Sequence, residues 1–262
     1  MNPSKLLSAF GRLAAVSLAA ALLTAPSTPA AAAPKIRVLL VTGGHGFERE
    51  PFFQIFKDNP QITFEAVEQP KAQASFEPAA GARYDVIVLY DFWQPITLET
   101  KTNFLARLQE GKGLVALHHC LANYQDWPEF ARIIGGKYRL QRHIENGVEK
   151  PGSTYQHDVD LPVKIVDPTH PITLGLRDFV IHDETYGQFD VSPEVHRLLT
   201  TTAPTSGPVI GWTKTYGPAR VAYLELGHDH QAYENPNYRK LIAQAIGWAA
   251  EPATPRPAPA TP

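Results

Sequence analysis

The chain has 262 residues, 24 basic and 26 acidic side chains, a net charge of −2 and a single cysteine. The near balance of charge and the lack of basic runs argue against nucleic acid or an anionic membrane as partner. One cysteine excludes an intrachain disulfide, so stability has to come from a buried core.

The chain opens with Lys5 and Arg12, then the apolar run "LAAVSLAAALL" at 13–23, then small residues up to Ala33. Charged, apolar and small-residue zones in that order predict a signal peptide over 1–33. Its apolar zone is too short for a comfortable membrane span. Export, to the periplasm or outside the cell, is the expectation. Without Lys5 and Arg12 the remainder has 22 basic and 26 acidic residues, a net charge of −4.

Residues 34–250 then read as one α/β domain. "KIRVLLVTGG" is an apolar strand entering a glycine turn, and "EREPFFQIFKDN" a short helix. "ITFEAV" and "YDVIVLYDF" are further strands. "TLETKTNFLARLQEGKG" is a helix that starts at a Thr cap and stops at Gly111. "GLVAL" at 113–117 is the next strand, and "WPEFARIIGG" a short helix. Alternating strands and helices predict a parallel sheet covered on both faces. "DVDLPVKIVD", "HRLLTTT", "PVIGWTK" and "ARVAYLELG" read as later strands, and "NPNYRKLIAQAIGWAA" as a closing amphipathic helix. The Pro/Ala-rich tail 251–262 reads as disordered.

In an open parallel sheet, ligands gather beyond the carboxyl ends of the strands. His45, then Asp91 and Trp93, then His118 and His119, then His228 all follow predicted strands. "FVIHDETYGQF" adds Asp183 and Glu184. The glycines of "TGGHGFE" lack the spacing of a dinucleotide or P-loop site, so no nucleotide cofactor is expected. Cys120 lies past the two histidines and lacks the small flanking residues of a nucleophile elbow, which argues against a thiol mechanism. If the strand pleat continued, His119 would point opposite to His118. Imidazoles from several strand ends plus a carboxylate fit either an open site for a divalent metal such as zinc or metal-free acid–base chemistry. Trp93 and Tyr124 sit where an aromatic face could stack on a sugar ring, or simply pack.

"VTGGHGFE", "GLVALHHCLANYQDWPEF", "DPTHPITLGLRDFVIHDETYG", "ARVAYLELGH" and "NPNYRKLIAQAIGWAA" together resemble the trehalose-utilisation, or ThuA-like, family, from about Lys35 to Ala250. The resemblance implies a three-layer α/β/α sandwich with a mostly parallel sheet, of the flavodoxin and class I glutamine-amidotransferase kind, without the amidotransferase's Cys–His–Glu machinery. It maps site residues onto His45, His118, Asp183, Glu184 and His228. With the signal peptide expected at 1–33, it implies an enzyme of carbohydrate catabolism, exported by that signal, acting on a glycoside or 3-keto glycoside, with His118, Asp183, Glu184 and His228 catalytic. His45, Asp91, Trp93 and Tyr124 would bind the sugar. The rival from another class is a carbohydrate-binding protein without catalysis.

Overall fold

The computed structural model describes residues 34–145 and 147–253. The expected signal peptide at 1–33 and residues 254–262 of the tail lie outside the described residues.

Nine strands form the central sheet: β1 (Ile36–Gly43), β2 (Ile62–Glu68), β3 (Val86–Asp91), β4 (Gly113–Leu117), β5 (Thr154–Ile165), β6 (Phe179–Gly187), β7 (His196–Thr201), β8 (Val209–Tyr216) and β9 (Ala219–Leu224). Their spatial order is β2-β1-β3-β4-β9-β8-β7-β5-β6. The helices that matter for the site are α1 (Arg49–Lys57), α2 (Leu98–Gln109), α3 (Pro128–Ile134), α4 (His230–Glu234) and α5 (Pro236–Ala249).

β3 and β4 are buried along their whole length, as strands covered on both faces must be. Alternate side chains feed two separate cores. Val38, Leu40, Val88 and Val115 pack with Phe52 and Phe56 of α1 and with Leu241 and Ile242 of α5. Leu39, Val41, Leu89 and Leu114 pack with Phe104 and Leu108 of α2 and with Phe130 and Ile133 of α3. The period-two alternation of the strands thus builds the three layers. Thr97 caps α2 by accepting the Thr100 amide, and Gly135, at φ 81°, ends α3 in the left-handed conformation glycine favours.

The second half of the sheet departs from the parallel expectation. β2, β1, β3, β4 and β9 are mutually parallel, but the pairings β9–β8, β8–β7, β7–β5 and β5–β6 are antiparallel. The cause is local at β8–β9: only Gly217 and Pro218 separate Tyr216 from Ala219, and so short a connection permits only an antiparallel return. "FVIHDETYG", read from the sequence as a carrier of acids only, is the strand β6.

β5 touches β7 only through Val163, Lys164 and Ile165, while it pairs with β6 from Thr154 onward. The free half of this two-stranded ribbon passes over the carboxyl ends of β4 and β9. There the Tyr186 amide donates to Glu225 Oε1, and the Gly207 amide donates to the Tyr186 carbonyl. Among the described residues no helix is long and apolar enough to cross a membrane.

Candidate active site

Strand β4 ends at Leu117, and a 3-10 turn starts at once with His118. His118 takes a φ of 50°, a left-handed conformation in which histidine is uncommon. This is where a nucleophile elbow would put its nucleophile, and histidine occupies it. The turn also overrides the pleat, so His118 and His119 both face the site, their rings 5.2 Å apart. The expected opposition of the two is corrected by the early end of the strand.

His118 is completely buried. Its Nδ1 lies 2.6 Å from the Glu225 carbonyl oxygen, which can only accept, so Nδ1 carries the proton. Nε2 meets the Tyr186 hydroxyl at 3.0 Å and Glu184 Oε2 at 3.1 Å. Glu184 and Tyr186 are two residues apart on β6 and therefore share a face. Two further imidazoles approach the same carboxylate: His228 Nδ1 at 3.4 Å from Oε2, and His157 Nδ1 at 3.4 Å from Oε1.

Burial alone would raise the Glu184 pKa, but the His118 and His228 imidazoles outweigh it and hold the carboxyl well below its usual range. The same contact, chiefly, raises the His228 pKa. Glu184 is therefore ionised, and it borders a cavity of about 250 Å³ lined also by His45, Phe92, His119, Tyr155, His157 and Tyr186. Neither ring nitrogen of His119 has a hydrogen-bond partner, and burial keeps the ring neutral by pushing its pKa far down. His45 stacks on it at 4.7 Å. His118 and His228 stand behind Glu184 and are not part of the cavity wall.

Asp183 arrives at the same place in another capacity. Its Oδ2 accepts the Gly227 amide at 2.8 Å, and its Oδ1 accepts the amides of His228 and Glu184, both at 2.9 Å. It is a positioning residue that pins the loop after β9, not a group facing the cavity. Gly227 has a φ of 114°, and a Cβ there would sit 2.0 Å from the Tyr238 hydroxyl, so the loop needs glycine.

Three expected sugar-binding residues lie elsewhere. Asp91 is fully buried and accepts from Gln69 Nε2 and Asn123 Nδ2 at 2.9 and 2.7 Å. Burial pushes its pKa up to about 6. Tyr124 is buried against Trp127 and Phe130, and its hydroxyl accepts from Gln69. Trp93 packs on the same core. All three brace the loops behind the cavity, because the chain turns inward there and the apolar rings follow it. Cys120 is buried too, and burial pushes its thiol well above the usual range, which leaves it inert.

His157 escaped the sequence reading. It sits at a bulge, where Gln156–Val159 of β5 faces Thr185–Asp183 of β6 with one residue extra. Asp158 at φ 58° makes the kink and His157 swings toward Glu184. A pattern "QHDVD" carries no sign of this in sequence.

A larger cavity of about 750 Å³ lies beside α3, with Lys137, Arg139 and Lys214 on its wall. Those cations are already bound: Lys137 to the Gln125 carbonyl, Arg139 to Asp190, and Lys214 to the Arg132 carbonyl.

The trehalose utilisation family model matches residues 37–249. Among solved structures, a putative ThuA-like protein from Parabacteroides merdae aligns with a TM-score of 0.69 at 22% identity, over 82% of this chain and 90% of that one. One from Bacteroides uniformis gives 0.64 at 19%, over 85% and 94%. PurLQS from Thermotoga maritima gives 0.54 at 13%, over 82% and 99%. None of the curated proteins matches the chain. The structural neighbours have ThuA-like and glutamine-amidotransferase-like α/β folds, in keeping with the layers described above. The family match supports a carbohydrate-related role. The extent of that match, covering every strand from β1 to β9, makes the chain a member of the trehalose utilisation (ThuA) family.

Proposed function

We propose that this chain is an exported enzyme of carbohydrate catabolism that takes a glycoside or 3-keto glycoside into the cavity beside Glu184. The observation that carries the reading is an ionised carboxylate on the cavity wall, fixed by imidazoles from two other strand ends and touched on its cavity side by His157. A proton next to a sugar carbonyl is weakly acidic and needs a held base together with a donor for the developing oxyanion. Glu184 with His157 supplies the base. The neutral, unpaired ring of His119 supplies a donor for the oxygen. Loss of the proton beside a 3-keto group then permits elimination of the glycosidic oxygen.

The experiment is turnover of glycosides and their 3-keto derivatives by the mature protein and by Glu184→Gln. The wild type should release the aglycone from the keto form, and Glu184→Gln should lower turnover by about 100-fold or more, as loss of a general base does. Equal turnover by the two proteins refutes the assignment. The binding-only reading draws on Tyr155, an aromatic 61% exposed at the cavity rim, which offers a face to a sugar ring. It requires tight sugar binding with no turnover in either protein.

A further inference from the structure

Three donor atoms from three chain segments converge behind the cavity wall: His118 Nε2, Glu184 Oε2 and His228 Nδ1, all within 4.8 Å of one another. We propose that these three atoms bind one divalent metal ion of the zinc type.

The first argument is geometric. Zinc–nitrogen and zinc–oxygen bonds of about 2.0–2.1 Å put neighbouring ligands on a tetrahedron about 3.3–3.4 Å apart. Glu184 Oε2 lies 3.1 Å from His118 Nε2 and 3.4 Å from His228 Nδ1. A direct charge-assisted hydrogen bond would draw such pairs to about 2.7–2.9 Å. His228 Nδ1 is buried and has no hydrogen-bond partner, although it points at a carboxylate. A proton can join two of these atoms, whereas a metal ion joins all three.

The second argument concerns what holds the ligands. A metal-binding imidazole normally donates its other N–H to a carbonyl or carboxylate, which fixes the tautomer. His118 does so through Nδ1 to the Glu225 carbonyl, and this leaves Nε2 as the ring's acceptor beside Glu184, where the ion would take the place of the Tyr186 hydroxyl proton. His228 is fixed through its backbone by Asp183, which also holds the Glu184 amide. One buried carboxylate thus anchors two of the three ligands. Two histidines and one carboxylate form a recognised open catalytic zinc set.

The ion takes Glu184 Oε2 and leaves Oε1, the atom beside His157, free to act on substrate. The inference rests on the same residues as the proposed active site but not on the identity of the sugar.

The test is calorimetric titration of the chelator-treated full mature chain with zinc ions alone, beside His118→Ala, His228→Ala and His182→Ala. His182 lies on the outer side of β6 with Asp158 and Asp160, so it controls for adventitious surface binding. The expected result is one ion per chain, at least about 100-fold weaker binding in the His118 and His228 variants, and unchanged binding in His182→Ala. Half-buried His228 keeps the test valid should His118→Ala fail to fold. Absence of a stoichiometric ion, unchanged affinity in His228→Ala, or equal loss in His182→Ala overturns the proposal. Stoichiometric zinc binding without turnover of any sugar upholds the metal site and sinks the catalytic reading. Turnover of a keto glycoside by protein that binds no stoichiometric ion does the reverse.

Discussion

Asp183→Asn isolates the anchor beneath the site. The carboxylate accepts three backbone amides, and an amide side chain has one oxygen to offer in its place. With the oxygen kept at the Oδ1 position, the Gly227 N–H faces another N–H and loses its bond. A hydrogen bond to a charged group contributes about 1.5–3 kcal/mol, and the unmet buried donor costs about 1–3 more. Burial raises the Asp183 pKa, so removing the charge returns part of that loss. The net cost should be about 2–4 kcal/mol, which lowers the melting temperature of a domain this size by about 5–15 °C. Because Gly227 and His228 move together, zinc affinity should fall about 10–100-fold, as for other losses of ligand support. Thermal melts followed by circular dichroism, with zinc titration of the folded variant, test both figures. A melting point within about 2 °C of wild type and unchanged zinc affinity would refute the role given to Asp183.

Cys120→Ser should keep full turnover and lose about 1–2 kcal/mol, because the new hydroxyl is buried without a partner; inactivation of a folded variant would restore a thiol mechanism. The Asp91 carboxyl, raised from an ordinary 3.8 to about 6, favours the fold most when protonated. Its contribution is full below about pH 4 and is lost as pH rises through 6, at a cost of about 3 kcal/mol. Urea melts of Asp91→Asn and wild type should therefore diverge in favour of the variant between pH 4 and 6.5; a pH-independent difference would contradict this. N-terminal sequencing of the exported protein should begin near Ala33 or Pro34, and an intact Met1 on cytoplasmic protein would end the export proposal.

The sequence showed the parallel half of the sheet clearly, because β1, β3 and β4 are continuous apolar runs bounded by turns. Periodicity also marked α2 and α5, whose caps lie at Thr97 and Asn235. His118, Glu184 and His228 were legible as a group from strand ends plus the family motifs. What was hidden depended on long-range geometry. Asp183 and Glu184 are adjacent, and only their opposite directions on β6 separate an anchor from a cavity wall. Trp93 and Tyr124 follow the loops inward, which loop position alone does not reveal. His157 needed the bulge, and a bulge is a property of paired strands rather than of one.

The ribbon of β5 and β6 has a kinetic consequence. The hydrogen bond from Tyr186 to His118 spans 68 positions of sequence, and the one from His118 to the Glu225 carbonyl spans 107. Contacts this distant in sequence carry a large loop-closure cost before they contribute anything, so they form late. A chain that has assembled only β1 to β4 has its imidazole turn but no carboxylate over it. The candidate site is therefore completed only by the docking of the ribbon, and a partly folded chain lacks the Glu184 carboxylate beside its imidazoles.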